Sequence, residues 1–289
     1  MLRALLKTMR PKQWAKNIFI FAPLVFDRKL TNLDAVLHTI VGALIFSLIS
    51  SVVYIINDIA DVEADRQHPT KRYRPIAAGK LSIPLAWGTA AIILLVSFPL
   101  AIWLSWRFAI ICLIYFLLNL TYSKWLKHIV LLDIIVLASF YVIRVAAGVT
   151  LIEVQRFSPW IYIFTTFLAL LIGTGKRRAE LSEIAEGPNA QRRVLDGYTL
   201  SFLDQLITLA SGMTIITYSL YTFSAPNLPE NHTMMLTIPF IIYSVFRYQY
   251  LLQVENIGGA PEDVVLSDRS LQAAIVLFGL AVLIIFYIS

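Results

Sequence analysis

The sequence predicts an all-α protein that crosses a membrane several times, and three observations support this fold class. Hydrophobic residues make up 58% of the 289 residues, and charged residues make up only 15%, against roughly a quarter in soluble domains. The apolar residues come in runs long enough to cross a bilayer. The charged residues lie in short segments between these runs. We therefore expect one polytopic membrane domain over residues 1–289, surrounded by the lipid bilayer.

The apolar runs give nine candidate transmembrane helices, since a spanning helix needs about 20 apolar residues. In chain order they are 12–27, 35–57, 83–103, 107–122, 129–149, 159–174, 199–222, 234–253 and 270–288. The first run is short and contains Pro23, which makes it the weakest of the nine.

The distribution of Lys and Arg predicts the orientation of the chain. With the N-terminus placed inside, the inner segments carry eighteen basic residues and the outer loops carry four. Positive charge favours the cytoplasmic side, so we expect a cytoplasmic N-terminus and a multi-pass protein of the cell membrane. The net charge of +6 gathers in these loops and forms no basic face, so we expect no nucleic-acid partner.

The predicted inner loops also carry twelve of the eighteen acidic residues. A membrane anchor has no need of both signs of charge on one face. An active site that binds a polyanion through a metal ion does need both. We therefore expect an enzyme whose active site faces the cytoplasm.

An acidic motif ends the second predicted helix, in the segment 57–65. On a continuous helix, Asp58, Asp61 and Asp65 would lie within about 60° of one face, and these three charges would repel unless a cation lay between them. Carboxylates suit Mg²⁺ that also binds substrate phosphates, so we predict that the three aspartates are catalytic and bind Mg²⁺. The alternative is an acidic helix end at the membrane surface. Cations follow the motif, as a diphosphate would require: Arg66, His68, Lys71, Arg72 and Arg74.

A second charged segment follows the sixth predicted helix. It contains Lys176, Arg177 and Glu180, and Tyr198 closes the same loop. These cations could hold phosphate groups. The alternative is that they only direct the topology of the chain.

Two further arginines lie in the predicted helices. Arg144 lies eleven residues after Asp133, almost three turns along the same face. A charge inside the membrane usually faces a partner or a cavity, so a structural role is as plausible as a substrate role. Arg247 could reach a lipid phosphate, or it could pair with Glu255.

The segment from Asn57 to Asp65 resembles the N-D-x-x-D-x-x-x-D motif of UbiA-type membrane prenyltransferases, a family with nine helices. A narrower resemblance, to decaprenyl-phosphate phosphoribosyltransferases, covers nearly the whole chain. It rests on the segments 10–17, 61–79, 126–128, 143–148, 175–181 and 261–272. A typical UbiA prenyltransferase has a second aspartate-rich motif after helix six, where this chain has Lys176, Arg177 and Glu180.

This resemblance implies Mg²⁺-dependent transfer of 5-phosphoribose from 5-phosphoribosyl 1-diphosphate (PRPP) to a polyprenyl (decaprenyl) phosphate. Diphosphate would be released, and the product would supply cell-wall arabinan synthesis. The substrate-binding residues that we expect are Lys16, Asn17, Asn57, Lys71, Arg72, Arg74, Tyr122, Lys127, Arg144, Lys176, Arg177, Glu180, Tyr198 and Arg247.

Two other functions stay open. A true UbiA-type prenyltransferase would use the same aspartates to move a prenyl group from its diphosphate to an aromatic or lipid acceptor. A transporter would place its ionisable residues near the middle of the membrane, whereas here most of them lie at one surface. The polyprenyl chain length and a homo-oligomeric state also stay open.

Overall fold

The computed structural model describes residues 1–154, 158–185, 193–225, 228–257 and 261–287. Within these ranges the chain forms α-helices and 3-10 helices joined by turns. The α-helices, numbered in chain order, are α1 (Leu2–Met9), α2 (Ala22–Phe26), α3 (Leu33–Ala60), α4 (Val62–Gln67), α5 (Ile83–Leu104), α6 (Trp106–Lys124), α7 (Leu132–Val149), α8 (Pro159–Ala185), α9 (Leu200–Ser224), α10 (Ile238–Gln253), α11 (Pro261–Ser267) and α12 (Arg269–Tyr287).

Eight helices in the described residues are long and apolar enough to cross a membrane, one fewer than the sequence predicts. The difference is the first predicted segment, 12–27, which forms a 3-10 helix over Pro11–Phe21 and then the short helix α2. Pro23 has no N–H to donate to the Phe19 carbonyl, so it is tolerated only in the first turn of a new helix. The all-α membrane class is confirmed, and the count of nine is not.

Polar side chains cap four of the long helices at their N-termini. Asn32, Ser105, Thr199 and Asp268 each accept a hydrogen bond from the backbone N–H three residues later, at 2.7–3.4 Å. Each bond satisfies an N–H that helix geometry leaves unpaired, and such a cap contributes about 1 kcal/mol. These caps fix where α3, α6, α9 and α12 begin.

The chain divides into two compact units. The N-terminal unit comprises Met1–Leu24, Lys29–Trp125 and Ile143–Glu153, and the C-terminal unit comprises Val25–Arg28, Leu126–Val142 and Val154–Ser289. A single catalytic domain over residues 1–289 stays a prediction.

Helix α3 is the centre of the N-terminal unit, with 67% of its most apolar stretch buried. The helices α1, α5 and α6 and the 3-10 helix all pack against it. Ala86 and Ala90, four residues apart on α5, are fully buried in the same cluster as Val52 and Ile55 of α3. Small residues at this spacing let two helices approach closely, so α5 lies directly against α3.

In the C-terminal unit, α8, α9, α10 and α12 surround two hydrophobic clusters, one containing Tyr218 and the other Leu251. Gly175 of α8 allows α10 to lie close to it. A Cβ atom at Gly175 would lie 2.7 Å from Leu252 Cδ1 and 3.0 Å from the Tyr248 hydroxyl. The glycine in the predicted phosphate-binding segment is therefore also a packing position.

Candidate active site

The acidic motif does not continue as one helix. Helix α3 ends at Ala60, Asp61 adopts φ −95° and ψ 10°, and α4 begins at Val62. Asp58 and Asp65 are buried, with 2% and 3% of their surface exposed, whereas Asp61 is exposed. The predicted single helical face is therefore wrong. The break relieves repulsion between like charges, because it leaves Asp61 in water.

Two arginines neutralise the buried pair. Arg10 Nη2 donates to Asp58 Oδ1 at 2.5 Å, and Arg74 Nη1 donates to Asp58 Oδ1 at 3.2 Å and to Asp65 Oδ2 at 2.7 Å. Buried carboxylates need such partners because desolvation of an unpaired charge is costly. Arg74 was predicted as a site residue, and Arg10 was not. The only sequence signal for Arg10 was its place in the segment 10–17 that carries the family resemblance.

The donor set fits a hard cation in part. Two carboxylates converge on one nitrogen atom of Arg74, and carboxylate oxygens are ligands that Mg²⁺ prefers. Among the described residues, however, no group of three His, Cys, Asp or Glu side chains is gathered as a metal site. Asp58 and Asp65 would hold the metal, and the roles of Asp61 and of the half-buried Asn57 stay predictions.

A row of side-chain hydrogen bonds, here called the polar ladder, continues from this site along α3. It consists of Arg10–Asp58, then Trp14 Nε1 to Ser51 Oγ at 3.0 Å, then Asn17 Nδ2 to Ser47 Oγ at 2.7 Å. Each bond joins the segment 10–17, which follows α1, to the same face of α3. The polar ladder therefore attaches the 3-10 helix to α3.

Arg144 lies at the far end of the polar ladder. Its Nε donates to Asn17 Oδ1 at 2.8 Å and its Nη2 to the Tyr115 hydroxyl at 3.2 Å, with the rings of Phe46 and Tyr115 within 5.5 Å. The side chain is buried, at 4% exposure. These contacts give Arg144 and Asn17 a role in joining α7, α6 and the 3-10 helix. Their predicted substrate contacts stay untested.

The C-terminal unit contains a second buried charge cluster. Asp133, at the start of α7, accepts from Arg177 Nε and from the Tyr198 hydroxyl, both at 2.6 Å. Arg177 Nη1 also donates to Glu180 at 2.5 Å, and the Tyr198 hydroxyl accepts from the Leu131 N–H at 2.6 Å. Both Asp133 and Arg177 are fully buried.

The charged residues of the second segment differ in their burial and in their partners. Burial, and then the hydrogen bond to Asp133, raises the pKa of Tyr198, so its phenol stays neutral and acts as a donor. Arg177 is directed at two carboxylates inside the protein, whereas the neighbouring Lys176 is only half-buried. Arg177 therefore helps to hold the segment in place, and the predicted substrate contacts of Lys176, Arg177, Glu180 and Tyr198 stay predictions.

Arg247 binds two carboxylates. Its Nη2 donates to Asp268 Oδ2 at 2.6 Å and to Glu255 Oε1 at 3.3 Å. The bond to Arg247 holds the pKa of Asp268 below its ordinary value. The pairing alternative for Arg247 is therefore confirmed, with Asp268 as a partner that the sequence did not indicate. A contact with lipid phosphate stays a prediction.

Arg178 is a further buried cation that sequence reasoning passed over. Its Nε donates to Asp204 at 2.8 Å, and its Nη1 donates to the Leu252 carbonyl at 2.6 Å and to Asn256 at 3.1 Å. It thereby joins the end of α8 to the start of α9 and the end of α10. The sequence shows three adjacent cations, Lys176 to Arg178, and gives no sign that each of them contacts different residues.

The loop after α4 carries exposed cations near the acidic pair. His68 Nδ1 accepts from the backbone N–H groups of Thr70 and Lys71, at 3.2 and 3.3 Å. Burial, reinforced by Lys71, lowers the pKa of His68, so the ring is neutral at pH 7 and can accept these bonds. Lys71 and Arg72 are exposed, and Arg72 stacks on Tyr73 at 5.0 Å.

Three more predicted substrate residues lie in the 3-10 helix, in α6 and in the turn that follows α6. Lys16 donates to Gln13 at 2.6 Å, and Tyr122 and Lys127 are half-buried near the end of α6 and in the following turn. Their substrate contacts stay predictions.

The model of the UbiA prenyltransferase family matches residues 18–257. The chain is 34% identical over 280 residues to a decaprenyl-phosphate phosphoribosyltransferase of Mycolicibacterium smegmatis, covering 93% of this chain and 87% of that protein. It is 32% identical over 274 residues to the protein of the same name from Corynebacterium glutamicum, covering 93% and 82%.

Solved structures show the same fold. A UbiA homolog from Archaeoglobus fulgidus, bound to DMAPP and Mg²⁺, superposes with a TM-score of 0.74 at 18% identity and covers 99% of both chains. The predicted UbiA-like bundle is confirmed by this likeness.

Proposed function

Because this chain belongs to the UbiA prenyltransferase family, we propose that it transfers 5-phosphoribose from PRPP to a polyprenyl phosphate and releases diphosphate. The observation that carries the proposal is the buried Asp58–Asp65 pair with Arg10 and Arg74 bound to it. Carboxylates beside cations suit a metal-bound diphosphate. The relatives from Mycolicibacterium and Corynebacterium support PRPP and decaprenyl phosphate as the two substrates.

The reaction breaks the bond between ribose C1 and the diphosphate oxygen, and the electron pair leaves with the diphosphate. A phosphate oxygen of the lipid forms the new bond to C1 from the opposite side, so the anomeric centre inverts. When bound, Mg²⁺ neutralises charge on the leaving diphosphate. Arg10 and Arg74 would add positive charge there, as pre-oriented donors do at a developing anion.

The acceptor needs no strong base, because a lipid phosphate is already an anion at neutral pH. The residues of this chain must instead hold two anions close together. Lys71 and Arg72, which are exposed in the loop that also carries Arg74, would bind phosphate oxygens of PRPP. Holding reactants in line supplies much of the rate in transfers that need little acid–base chemistry.

The solubilities of the two substrates also suggest where the reaction takes place. PRPP is water-soluble, whereas a polyprenyl chain stays in the bilayer, so the two phosphate groups would meet at the headgroup level of the cytoplasmic leaflet. In a cell that builds arabinan, the lipid-linked phosphoribose would supply its cell-wall precursors.

The deciding experiment incubates the purified protein with Mg²⁺, ribose-labelled PRPP and decaprenyl phosphate, and measures label in the lipid phase. We expect lipid-soluble label that requires all three components. If no label reaches the lipid, but a labelled prenyl diphosphate donates its chain to an aromatic or lipid acceptor, the protein is a prenyltransferase instead.

Asp58→Asn tests the metal site within this assay. We expect turnover to fall at least about hundredfold. The change removes one charge of the metal site, and loss of one electrostatic contact at a reacting centre lowers turnover by about a hundredfold or more. Glu63→Gln is the matched control, since Glu63 is exposed and pairs with exposed Arg66. Full turnover of Asp58→Asn, or undiminished turnover in EDTA, would rule out this metal site.

A further inference from the structure

The acidic pair of the N-terminal unit is covered by its cations. The side chains of Asp58 and Asp65 are 2% and 4% exposed, whereas those of Arg10 and Arg74 are 30% and 27% exposed. A solute that approaches from water therefore meets guanidinium groups before it meets carboxylates. Positive charge directly over the two buried carboxylates favours the approach of an anion to them over that of a free divalent cation.

The two arginines hold the carboxylate oxygens that a metal ion would need. Arg74 Nη1 bridges Asp58 and Asp65, and Arg10 Nη2 lies 2.5 Å from the same Asp58 oxygen. A metal ion can bind these oxygens only if the guanidinium groups move away. Such movement is costly unless another anion takes their place, because charge-assisted hydrogen bonds are strong.

Arg10 ends α1 in a left-handed backbone conformation. Arg10 has φ 53° and ψ 61°, the left-handed region that glycine adopts without strain. A non-glycine residue in this conformation is strained, and strain of this kind concentrates at functional positions. The guanidinium of Arg10 also lies over the ring of Tyr54, 5.0 Å from the ring centroid.

We propose that Arg10 and Arg74 form a latch that closes the Asp58–Asp65 pair to a free metal ion and opens when a diphosphate group binds both guanidiniums. The metal then enters together with its phosphate ligand. The latch would keep the site from holding a bare cation between turnovers. This inference rests on the proposed function, because it takes Asp58 and Asp65 as the metal ligands.

The latch predicts how metal affinity changes when the arginines are removed. Mn²⁺ can stand in for Mg²⁺, and its free concentration can be followed by electron paramagnetic resonance with the full-length protein in detergent. In Arg74→Gln, we expect Mn²⁺ alone to bind roughly ten- to a hundredfold more tightly than in the wild type, the factor that one charge-assisted bond is worth. Arg10→Gln should give a smaller gain, because Arg10 contacts one carboxylate and Arg74 contacts two.

Added inorganic diphosphate should tighten Mn²⁺ binding strongly in the wild type and less in each variant, because the energetic coupling between two ligands is reciprocal. Lys80→Gln is the matched control, since Lys80 is an exposed cation of the same unit, six residues after Arg74. It should leave both affinities unchanged. Arg10→Lys keeps the positive charge without the planar guanidinium group. Its Mn²⁺ affinity should lie between those of the wild type and Arg10→Gln.

Stability gives a second measurement if an arginine variant folds poorly. Loss of one partner leaves a buried carboxylate undercompensated, so Mn²⁺ should raise the melting temperature of Arg74→Gln more than that of the wild type. Unchanged or weaker Mn²⁺ binding in both glutamine variants would overturn the latch while leaving the metal site intact. Absence of Mn²⁺ binding in every protein, even with diphosphate, would overturn the latch together with the metal site of the proposed function.

Discussion

At the residue scale, the two buried charge clusters have opposite arrangements. In the N-terminal unit the acid, Asp58, belongs to the long helix, and the arginines reach it from the chain before and after that helix. In the C-terminal unit the long helix α8 carries the arginine, and Asp133 reaches it from the start of α7. In both clusters a buried aspartate, Asp58 or Asp133, is paired with guanidinium groups, so each carboxylate depends on its partners for a tolerable cost of burial.

Asp133→Asn should destabilise the protein strongly. Asparagine keeps the size of the side chain but removes the charge that compensates fully buried Arg177, and breaking such a pair costs about 3–5 kcal/mol. Denaturant unfolding in detergent measures the loss, with Asp196→Asn as the control at an exposed position of the same unit. An unchanged unfolding midpoint would mean that Glu180 alone balances Arg177.

The bond between Arg247 and Asp268 should make stability depend on pH. The pKa of folded Asp268 is lowered, so the unfolded chain takes up the proton first as the pH falls. The contribution is therefore complete above the ordinary pKa of about 3.9 and is lost below it, through the folded pKa. The melting temperatures of wild type and Arg247→Gln should differ at pH 7 and converge towards pH 3. A constant difference across this range would exclude the ionic part of the interaction.

The sequence predicted local charge partners and missed distant ones. Arg74 follows Asp58 and Asp65 closely in the chain, so its place beside them could be expected. Helical periodicity placed Asp133 and Arg144 on one face, yet Asp133 binds Arg177 and Arg144 binds Asn17. These partners come from different helices, and no spacing rule within a single helix can reveal them.

At the element scale, the 3-10 helix Pro11–Phe21 is unusually long for its type, since most run to three or four residues. The polar ladder explains its persistence. From Arg10 to Asn17 a 3-10 helix rises about 14 Å, at about 2.0 Å per residue. Their partners Asp58 and Ser47 are eleven residues apart on α3, a rise of about 16.5 Å. An α-helix over the same seven residues would rise only about 10.5 Å and would not meet both partners.

The close approach of this helix to α7 gives a prediction about Gly148. A Cβ atom there would collide with the backbone carbonyl of Ile20, and backbone cannot swing aside as a side chain can. Gly148→Ala should therefore lower the melting temperature and impair transfer. Gly88→Ala on α5 is the control, because nothing lies within 4 Å of its added Cβ, and it should be neutral or stabilising by about 0.5–1 kcal/mol. Equal melting temperatures for both variants would contradict this packing.

The sequence predicted the type of helix correctly only for the long apolar helices. The eight long helices follow from apolar length, whereas the segment 12–27, which is shorter and contains Pro23, winds differently. Its conformation depends on partners such as Ser47 and Ser51, which look like ordinary small helix residues in the sequence.

At the scale of the whole molecule, the distribution of charge predicts the orientation in the membrane, and this prediction can be tested directly. Cys112 is buried and can be replaced by alanine to give a cysteine-free background. Exposed Asp34 and Gln67 flank α3 at its opposite ends, so a cysteine at each reports one side of the membrane. We expect a membrane-impermeant maleimide to label Asp34→Cys in intact cells and Gln67→Cys only after permeabilisation. The reverse pattern would place the N-terminus outside.

The polar ladder also constrains how this protein can change over generations. Two stretches of the gene, one encoding residues 10–17 and the other residues 47–58, specify bonds that must stay in step along their whole length. Substitution of one side chain removes a single hydrogen bond. An inserted or deleted codon within 10–17 would put every later bond out of step and would move Arg10 relative to Asp58. Descendants should therefore differ in this stretch by substitution, while gains and losses of length accumulate in turns such as 28–32.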